Sequence, residues 1–272
     1  MYKEKTGIND ARRNRRFEKN PIKGTKFTIA ISSAKGGVGK STFATNLALA
    51  LKNLGLKIGI FDADIYGPSL PKLFSINQKP ENKEGKLIPI EKYKIQCMSM
   101  GFLADEKTPM IWRGPMVTSA IKTFAHKVEW KNLDIIIVDM PPGTGDTQLT
   151  FAQEILMDGV VIVSTPQELA LQDVKRGIAM FDKLNVKIIG LVDNMSYFFG
   201  EDGKKYSIFG DGGVRRTSEE FNKNFLGEVP INSDVGKFGD LGKPIVESMP
   251  EHEISKIYLK FAEKIKSIYL SN

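Results

Sequence analysis

Ser33-Ala34-Lys35-Gly36-Gly37-Val38-Gly39-Lys40-Ser41-Thr42 lies between an apolar run, Thr28 to Ser32, and a segment of helical periodicity that begins near Lys40. Glycines let the backbone curl tightly enough to aim several N–H groups at one phosphate. The helix that follows adds the positive end of its dipole. Gly36, Gly37, Val38 and Gly39 form the cradle, Lys40 can reach terminal phosphates, the Ser41 hydroxyl is placed for Mg²⁺, and Thr42 completes the set. A strand, a glycine loop and a helix in that order make a P-loop.

Working outward, apolar runs recur at Lys57–Phe61, Asp134–Val138, Gly159–Ser164 and Val186–Val192. They are continuous rather than alternating, as strands covered on both faces are. Helical stretches fall between them; in the first, Phe43, Leu47, Ala50, Leu51 and Leu54 mark one face for the sheet. The alternation predicts an α/β fold, a doubly wound, mostly parallel sheet flanked by helices, with ligands at the carboxyl ends of its strands. Residues 75–100 interrupt the pattern, and Lys86–Ile90 with Lys94–Met98 reads as a hairpin or edge strands, Cys97 within one of them. From Glu251 to Leu270, Ile254, Ile257, Tyr258, Phe261, Ile265, Ile268 and Tyr269 share one helical face. That face fits a last helix packed on the sheet; a membrane-surface helix has the same pattern.

The chain has 272 residues, 41% of them apolar, enough for one α/β domain. No apolar run approaches the roughly 20 residues of a membrane span, and the N-terminus carries no apolar signal core. One cysteine and two histidines exclude a disulfide framework and a zinc site of the chain's own, and suit the cytoplasm. The net charge of +7 is concentrated in residues 1–24, which contribute +5. We divide the chain into a basic, disordered tail (1–24) and a P-loop ATPase domain (25–272). The cluster Arg12, Arg13, Arg15 and Arg16 reads as a solvated tail, and nucleic acid is not among the expected partners.

Strand Lys57–Phe61 delivers Asp62-Ala63-Asp64 to the edge that holds the P-loop. Carboxylates there can hold a magnesium-bound water or orient the water that attacks the γ-phosphate. One of the pair is expected in each role, and spacing does not say which. Capping of the following turn accounts for one of these acids, not both. The run Asp134–Val138 ends in Asp139, a Walker B acid for Mg²⁺. Pro141-Pro142-Gly143-Thr144-Gly145 cannot continue a strand or start a helix, and is a switch loop candidate near the γ-phosphate.

Lys35 is an extra lysine that an ordinary P-loop lacks. On its own it reads as a solvated loop residue. In this position it resembles the deviant Walker A group, which includes MinD-like, ParA-like and Mrp proteins. That resemblance implies ATP-dependent homodimerisation, with Lys35 reaching the partner's nucleotide and Asp62–Ser69 as switch I. The segment Trp130–Asp146 resembles the signature of the Mrp (ApbC) family of iron–sulfur cluster carrier ATPases. Asp64-Ile65-Tyr66-Gly67-Pro68-Ser69, Trp112-Arg113-Gly114-Pro115-Met116 and Asp193-Asn194-Met195-Ser196-Tyr197-Phe198 resemble other motifs of that family. By resemblance Asn194 contacts the adenine and the loop around Pro230 flanks it. The implied activity is Mg²⁺-dependent ATP hydrolysis, catalytic through Lys35, Lys40, Asp62 and Asp64, with Ser41, Asp62 and Asp139 serving the metal. The implied role is cytoplasmic delivery of iron–sulfur clusters to apoprotein clients or exchange with assembly proteins. The alternative is a MinD- or ParA-like spatial switch on membrane or DNA. Many Mrp-like proteins carry a Cys-x-x-Cys pair after the segment matching Asn194–Phe198, but Phe199–Gly210 has no cysteine. A [4Fe–4S] cluster usually takes four thiolates. Cys97 is the one cysteine that could be a ligand, and it also reads as a small buried apolar residue.

Overall fold

Five apolar runs of the sequence form the middle of one sheet, each buried over most of its length. The computed structural model describes residues 19, 21–102 and 114–270. Its strands are β1 (Thr25–Ser32), β2 (Ile58–Asp62), β3 (Asn82–Lys83), β4 (Lys86–Leu87), β5 (Ile90–Lys92), β6 (Ile95–Ser99), β7 (Leu133–Asp139), β8 (Gly159–Ser164), β9 (Ile188–Asn194), β10 (Phe198–Phe199), β11 (Lys205–Tyr206) and β12 (Phe225–Val229). Its helices are α1 (Lys40–Asn53), α2 (Leu70–Leu73), α3 (Gly114–Lys127), α4 (Asp146–Glu154), α5 (Glu168–Lys183), α6 (Gly213–Glu220), α7 (Ser233–Asp240), α8 (Ile245–Ser248) and α9 (Glu253–Leu270).

Eight strands make the main sheet in the order β12-β9-β8-β1-β7-β2-β6-β5, parallel throughout except for the β5–β6 pair. The expected α/β architecture is therefore present. β1 stands where the path divides, with β7 and β2 on one side and β8 and β9 on the other. Such a division opens a crevice at the carboxyl ends of the strands.

Four details depart from the sequence pattern. The hairpin at 86–98 is shifted: β5 turns into β6 through Tyr93 and Lys94, both left-handed (φ 52° and 60°), while β4 pairs with β3 instead. Two adjacent positive φ values match the twist that a two-residue hairpin loop needs. β12 had no apolar run to announce it, because it is a half-exposed edge strand interrupted at Gly227. The first helix is buried on more than the expected face. Ala44, Ala48 and Leu49 are covered as well as Phe43, Leu47, Ala50 and Leu51, since α8 and α9 pack over α1. Finally, Ile22 sits in the core and the Gly24 carbonyl accepts from Leu133 N at 2.8 Å, so residues assigned to the tail belong to the packed domain.

α9 uses its apolar face internally. Ile254, Tyr258, Phe261, Ala262 and Ile265 are buried, and Phe43 meets the Tyr258 and Phe261 rings at 5.5 and 5.4 Å. Ile254, Phe261 and Ile265 each contribute roughly 1.5–3 kcal/mol on burial. Most of that face is packed inside the protein, and Ile268 near the helix end is exposed. Among the described residues no helix is long and apolar enough to cross a membrane.

Candidate functional site

β1 runs out at Ser32 and the loop to Lys40 is shaped by two left-handed glycines, Gly37 and Gly39, both at φ 81°. The Ser33 hydroxyl donates to the Lys35 carbonyl at 2.9 Å, which tightens the turn. A Cβ on Gly36 or Gly37 would meet nothing within 4 Å, so the loop is open at both positions. Gly39 is the N-cap of α1 and supplies no side-chain cap. The first-turn N–H groups therefore lack side-chain capping and suit an anion. Gly36 and Gly37 are exposed, Lys35, Ser41 and Thr42 half-buried, and Val38 buried.

Beneath the loop, β7 brings Asp139 to α1. Lys40 is buried and its ammonium forms an ion pair with the Asp139 carboxylate, with the Ser41 hydroxyl 3.4 Å from the same ammonium. Burial holds the Asp139 carboxyl above its ordinary range, and Lys40 opposes that shift. A hydroxyl and a carboxylate are hard oxygen donors of the kind Mg²⁺ takes. Together with the open cradle, the residues present fit a phosphate and its metal.

Asp62 lies directly beside Asp139 in the sheet register. Its Oδ2 accepts from Ser69 N, Leu70 N and Ser99 Oγ at 2.9, 3.0 and 2.9 Å, and its Oδ1 accepts from Asp64 N at 3.2 Å. Its carboxyl is pushed up to about 7, first by burial and then by Asp139. Asp64 Oδ1 accepts from Tyr66 N and Gly67 N at 3.1 and 3.2 Å. Both acids therefore cap backbone, where capping was expected of only one. Asp62 therefore accepts from protein donors through both oxygens, three on Oδ2 and one on Oδ1. Ser99 was missed in the sequence, since nothing in a short β-run announces a hydroxyl aimed at the neighbouring strand.

Residues 140–145 form the expected loop between β7 and α4, and Gly143 N donates to the Ser33 carbonyl at 2.9 Å. A second tie escaped the sequence: buried Gln148, in the first turn of α4, donates to the Ser32 hydroxyl and to the Pro141 carbonyl at 3.3 Å. At the other rim Asn194 ends β9, and its Nδ2 donates to the Val38 carbonyl at 2.7 Å. Ser196 N bonds the Val229 carbonyl and Ile231 N the Tyr197 carbonyl, which seats buried Pro230 beside the Asn194 turn. The structure thus brings Asn194 and Pro230 together at the edge of the loop.

Residues 24–266 match the family described as ParA, NUBPL iron-transfer P-loop NTPase. The chain belongs to that family. It is 49% identical over 247 residues to the iron–sulfur protein required for NADH dehydrogenase of Arabidopsis thaliana mitochondria, covering 90% of this chain and 79% of that protein. It is 44% identical over 256 residues to the iron–sulfur cluster carrier protein of Aquifex aeolicus, covering 93% and 70%. Among solved structures, a nucleotide-binding protein from Archaeoglobus fulgidus in complex with ADP matches with a TM-score of 0.75 at 36% identity, over 86% of this chain and 92% of that one. The cell division ATPase MinD of Pyrococcus furiosus matches with a TM-score of 0.65 at 19% identity, over 89% and 99%, which shows a shared fold alone. The family resemblance of the sequence motifs is borne out, and the chain is a nucleotide-binding P-loop NTPase of the NUBPL type.

In this NUBPL-type chain the cysteine is enclosed in the sheet. Cys97 is fully buried in β6, its thiol is directed to the Ile95 carbonyl at 3.5 Å, and burial pushes the thiol far above its ordinary range. The buried apolar alternative describes it, and the ligand expectation is not supported. The segment after Phe198 forms the β10–β11 hairpin, with the Phe198 and Tyr206 rings stacked at 5.3 Å. No group of three or more His, Cys, Asp or Glu among the described residues is placed to hold a metal ion. Arg12, Arg13, Arg15, Arg16, Trp112 and Arg113 lie outside the described residues, and Gly114–Met116 open α3.

Proposed function

We propose that this chain is a cytoplasmic, Mg²⁺-dependent ATPase that works as a homodimer in delivering iron–sulfur clusters to apoproteins. The buried Lys40–Asp139 pair under an open, uncapped glycine cradle carries the nucleotide half. An ammonium inside a protein needs an anionic partner. A triphosphate in the cradle offers Lys40 a stronger one than Asp139, and the carboxylate is then free to face Mg²⁺ beside Ser41. Mg²⁺ bound there supplies charge neutralisation on the phosphate oxygens. Loop amides from Gly36 to Thr42 bind and orient the phosphates. Asn194 and Pro230 flank the base. Asp62 positions the switch I segment through Ser69 and Leu70, which leaves Asp64 to orient the attacking water. Lys35, half-buried at the mouth of the loop, reaches the nucleotide of the second protomer. The Gly143–Ser33 bond ties the switch loop to the cradle, so a change at the phosphates is felt in residues 141–145.

The delivery half is supported by the names of relatives at 44–49% identity, which are iron–sulfur cluster carrier or transfer proteins. The spatial-switch alternative draws on the shared fold and the basic cluster Arg12–Arg16, and the packed face of α9 weakens its membrane element. Lys40→Ala tests the site: ATP turnover should fall by about 100-fold or more, as for loss of a group that stabilises transferring phosphate. Turnover equal to wild type would remove Lys40 from the chemistry. ATP-dependent sedimentation of the wild type with anionic vesicles would restore the alternative.

A further inference from the structure

We infer that this chain holds no iron–sulfur cluster on its own side chains, and that the clusters it handles stay on thiolates of the proteins it serves. The inference rests on the delivery reading above. A [4Fe–4S] cluster usually takes four cysteine thiolates. The whole sequence contains one cysteine, so a homodimer brings two. Both copies would be Cys97, in a strand held between β2 and β5 with Ile60 and Ile90 as its register neighbours. Its raised thiol keeps its proton, whereas the metal ligand is the thiolate. To bind iron, Cys97 would have to lose that proton inside the core and the sheet would have to open.

Other ligands do not fill the gap. The two histidines are His126 and His252. His252 accepts from Ile254 N through Nδ1 at 3.1 Å, capping α9, and its Nε2 lies 3.6 Å from Asp234. His126 is in the last turn of α3. The sequence of residues 1–18 and 103–113 adds neither cysteine nor histidine, only Glu4, Asp10, Glu18, Asp105 and Glu106 as anionic groups. Carboxylates are hard donors, while sulfide-bridged iron clusters are selected by soft thiolates.

The β10–β11 turn is built to stand without a metal. Asp202 accepts from Lys204 N at 3.0 Å and from the Tyr206 hydroxyl at 2.8 Å, and Gly200 N and Gly203 N donate within the turn. A Cβ at Gly200 would come within 2.7 Å of the Tyr206 ring, and Gly203 is left-handed at φ 73°. A polar staple and two glycines do here what cluster ligands would do in a metal-closed turn. The partner that fits is a protein bringing a complete cysteine set, from which or onto which the cluster moves while this chain turns over ATP.

The test uses the full chain in two arms. In the first, wild type and Cys97→Ala are incubated anaerobically with ferrous iron, sulfide and Mg-ATP, desalted, and assayed for iron, sulfide and visible absorption. Background values in both are expected; cluster-level iron and sulfide retained by either protein overturns the inference while leaving the delivery reading intact. In the second, a [4Fe–4S]-loaded donor protein with four cysteine ligands is mixed with apo-ferredoxin, with and without this chain and ATP. Severalfold faster transfer that needs ATP is expected. Background retention in the first arm with no acceleration in the second overturns the delivery reading, and with it the partner part of the inference.

Discussion

Asp193 is the penultimate residue of β9, directly before Asn194, with both carboxylate oxygens buried and no hydrogen-bond partner among the described residues. Burial pushes its carboxyl up to about 7, Glu228 and Asp211 add to the shift, and Lys205 and Arg215 oppose it. A carboxyl raised in this way keeps its proton in the fold at pH values where the unfolded chain has released it. Its contribution to stability is therefore largest below the unfolded value, near 4, and is lost as pH rises through the folded value. The full span is worth roughly 4 kcal/mol at most. Asp193→Asn should flatten the fall in denaturant midpoint between about pH 4 and 7, and should be the more stable protein at the upper end. Asp62, also raised to about 7, has the same sign and keeps part of the slope. A wild-type slope in Asp193→Asn would show that another group sets the pH dependence. In the sequence Asp193 stands only as the first residue of a family motif; its raised carboxyl was not legible there, because desolvation is a property of the packing around a residue. Lys40 and Asp139 were legible for the opposite reason: their roles follow from a loop and a strand end that local sequence specifies.

At the scale of elements, the P-loop and α1 share two glycines whose backbones are alike and whose surroundings differ. Gly39 (φ 81°) precedes α1, and a Cβ there would collide with the Asn194 amide and approach Met195 Cε to 3.1 Å. Gly55 (φ 86°) follows α1, and a Cβ there would meet nothing within 4 Å. Alanine at either position pays the left-handed penalty of about 1–2 kcal/mol. Only Gly39→Ala also displaces Asn194 from the Val38 carbonyl. ATP affinity should drop by at least about tenfold, or 1.4 kcal/mol, in Gly39→Ala and stay at the wild-type value in Gly55→Ala. Equal affinities by calorimetry would mean that the Asn194 contact does not shape the cradle. Tyr258→Ala probes the packing of α9 on α1. Removing its ring from Phe43 and Phe261 should cost about 3–5 kcal/mol in unfolding free energy while ATP affinity is retained. The strands that carry the site were readable because central parallel strands are apolar without interruption. β12 was not, since a half-exposed edge strand with a glycine in it has no such run. The two-sided burial of α1 was hidden too, because small alanines on its second face resemble surface as much as core.

For the whole molecule the decisive residue is Lys35, since a second copy of the chain is the partner that would give it work. Its neighbour Ala34 packs toward Gly177 of α5, with Ala34 Cβ 3.9 Å from where a Cβ on Gly177 would lie. Within its own protomer, Lys40, the loop amides and the start of α1 are the groups proposed above to bind phosphate. A lysine that crosses to the partner's nucleotide joins only when both sites are filled, so it should affect assembly and turnover far more than affinity. Sedimentation velocity with a non-hydrolysable ATP analogue should show the wild type as a dimer and Lys35→Ala as a monomer. The analogue's affinity should change less than about threefold, under 1 kcal/mol. Hydrolysis should fall together with dimerisation, because the missing ammonium is one of the charges gathered around the transferring phosphate. If Lys35→Ala dimerises as the wild type does, Lys35 is a solvated loop residue and the protomers are joined elsewhere. If it loses affinity as severely as Lys40→Ala, it serves its own site and the crossing geometry is wrong.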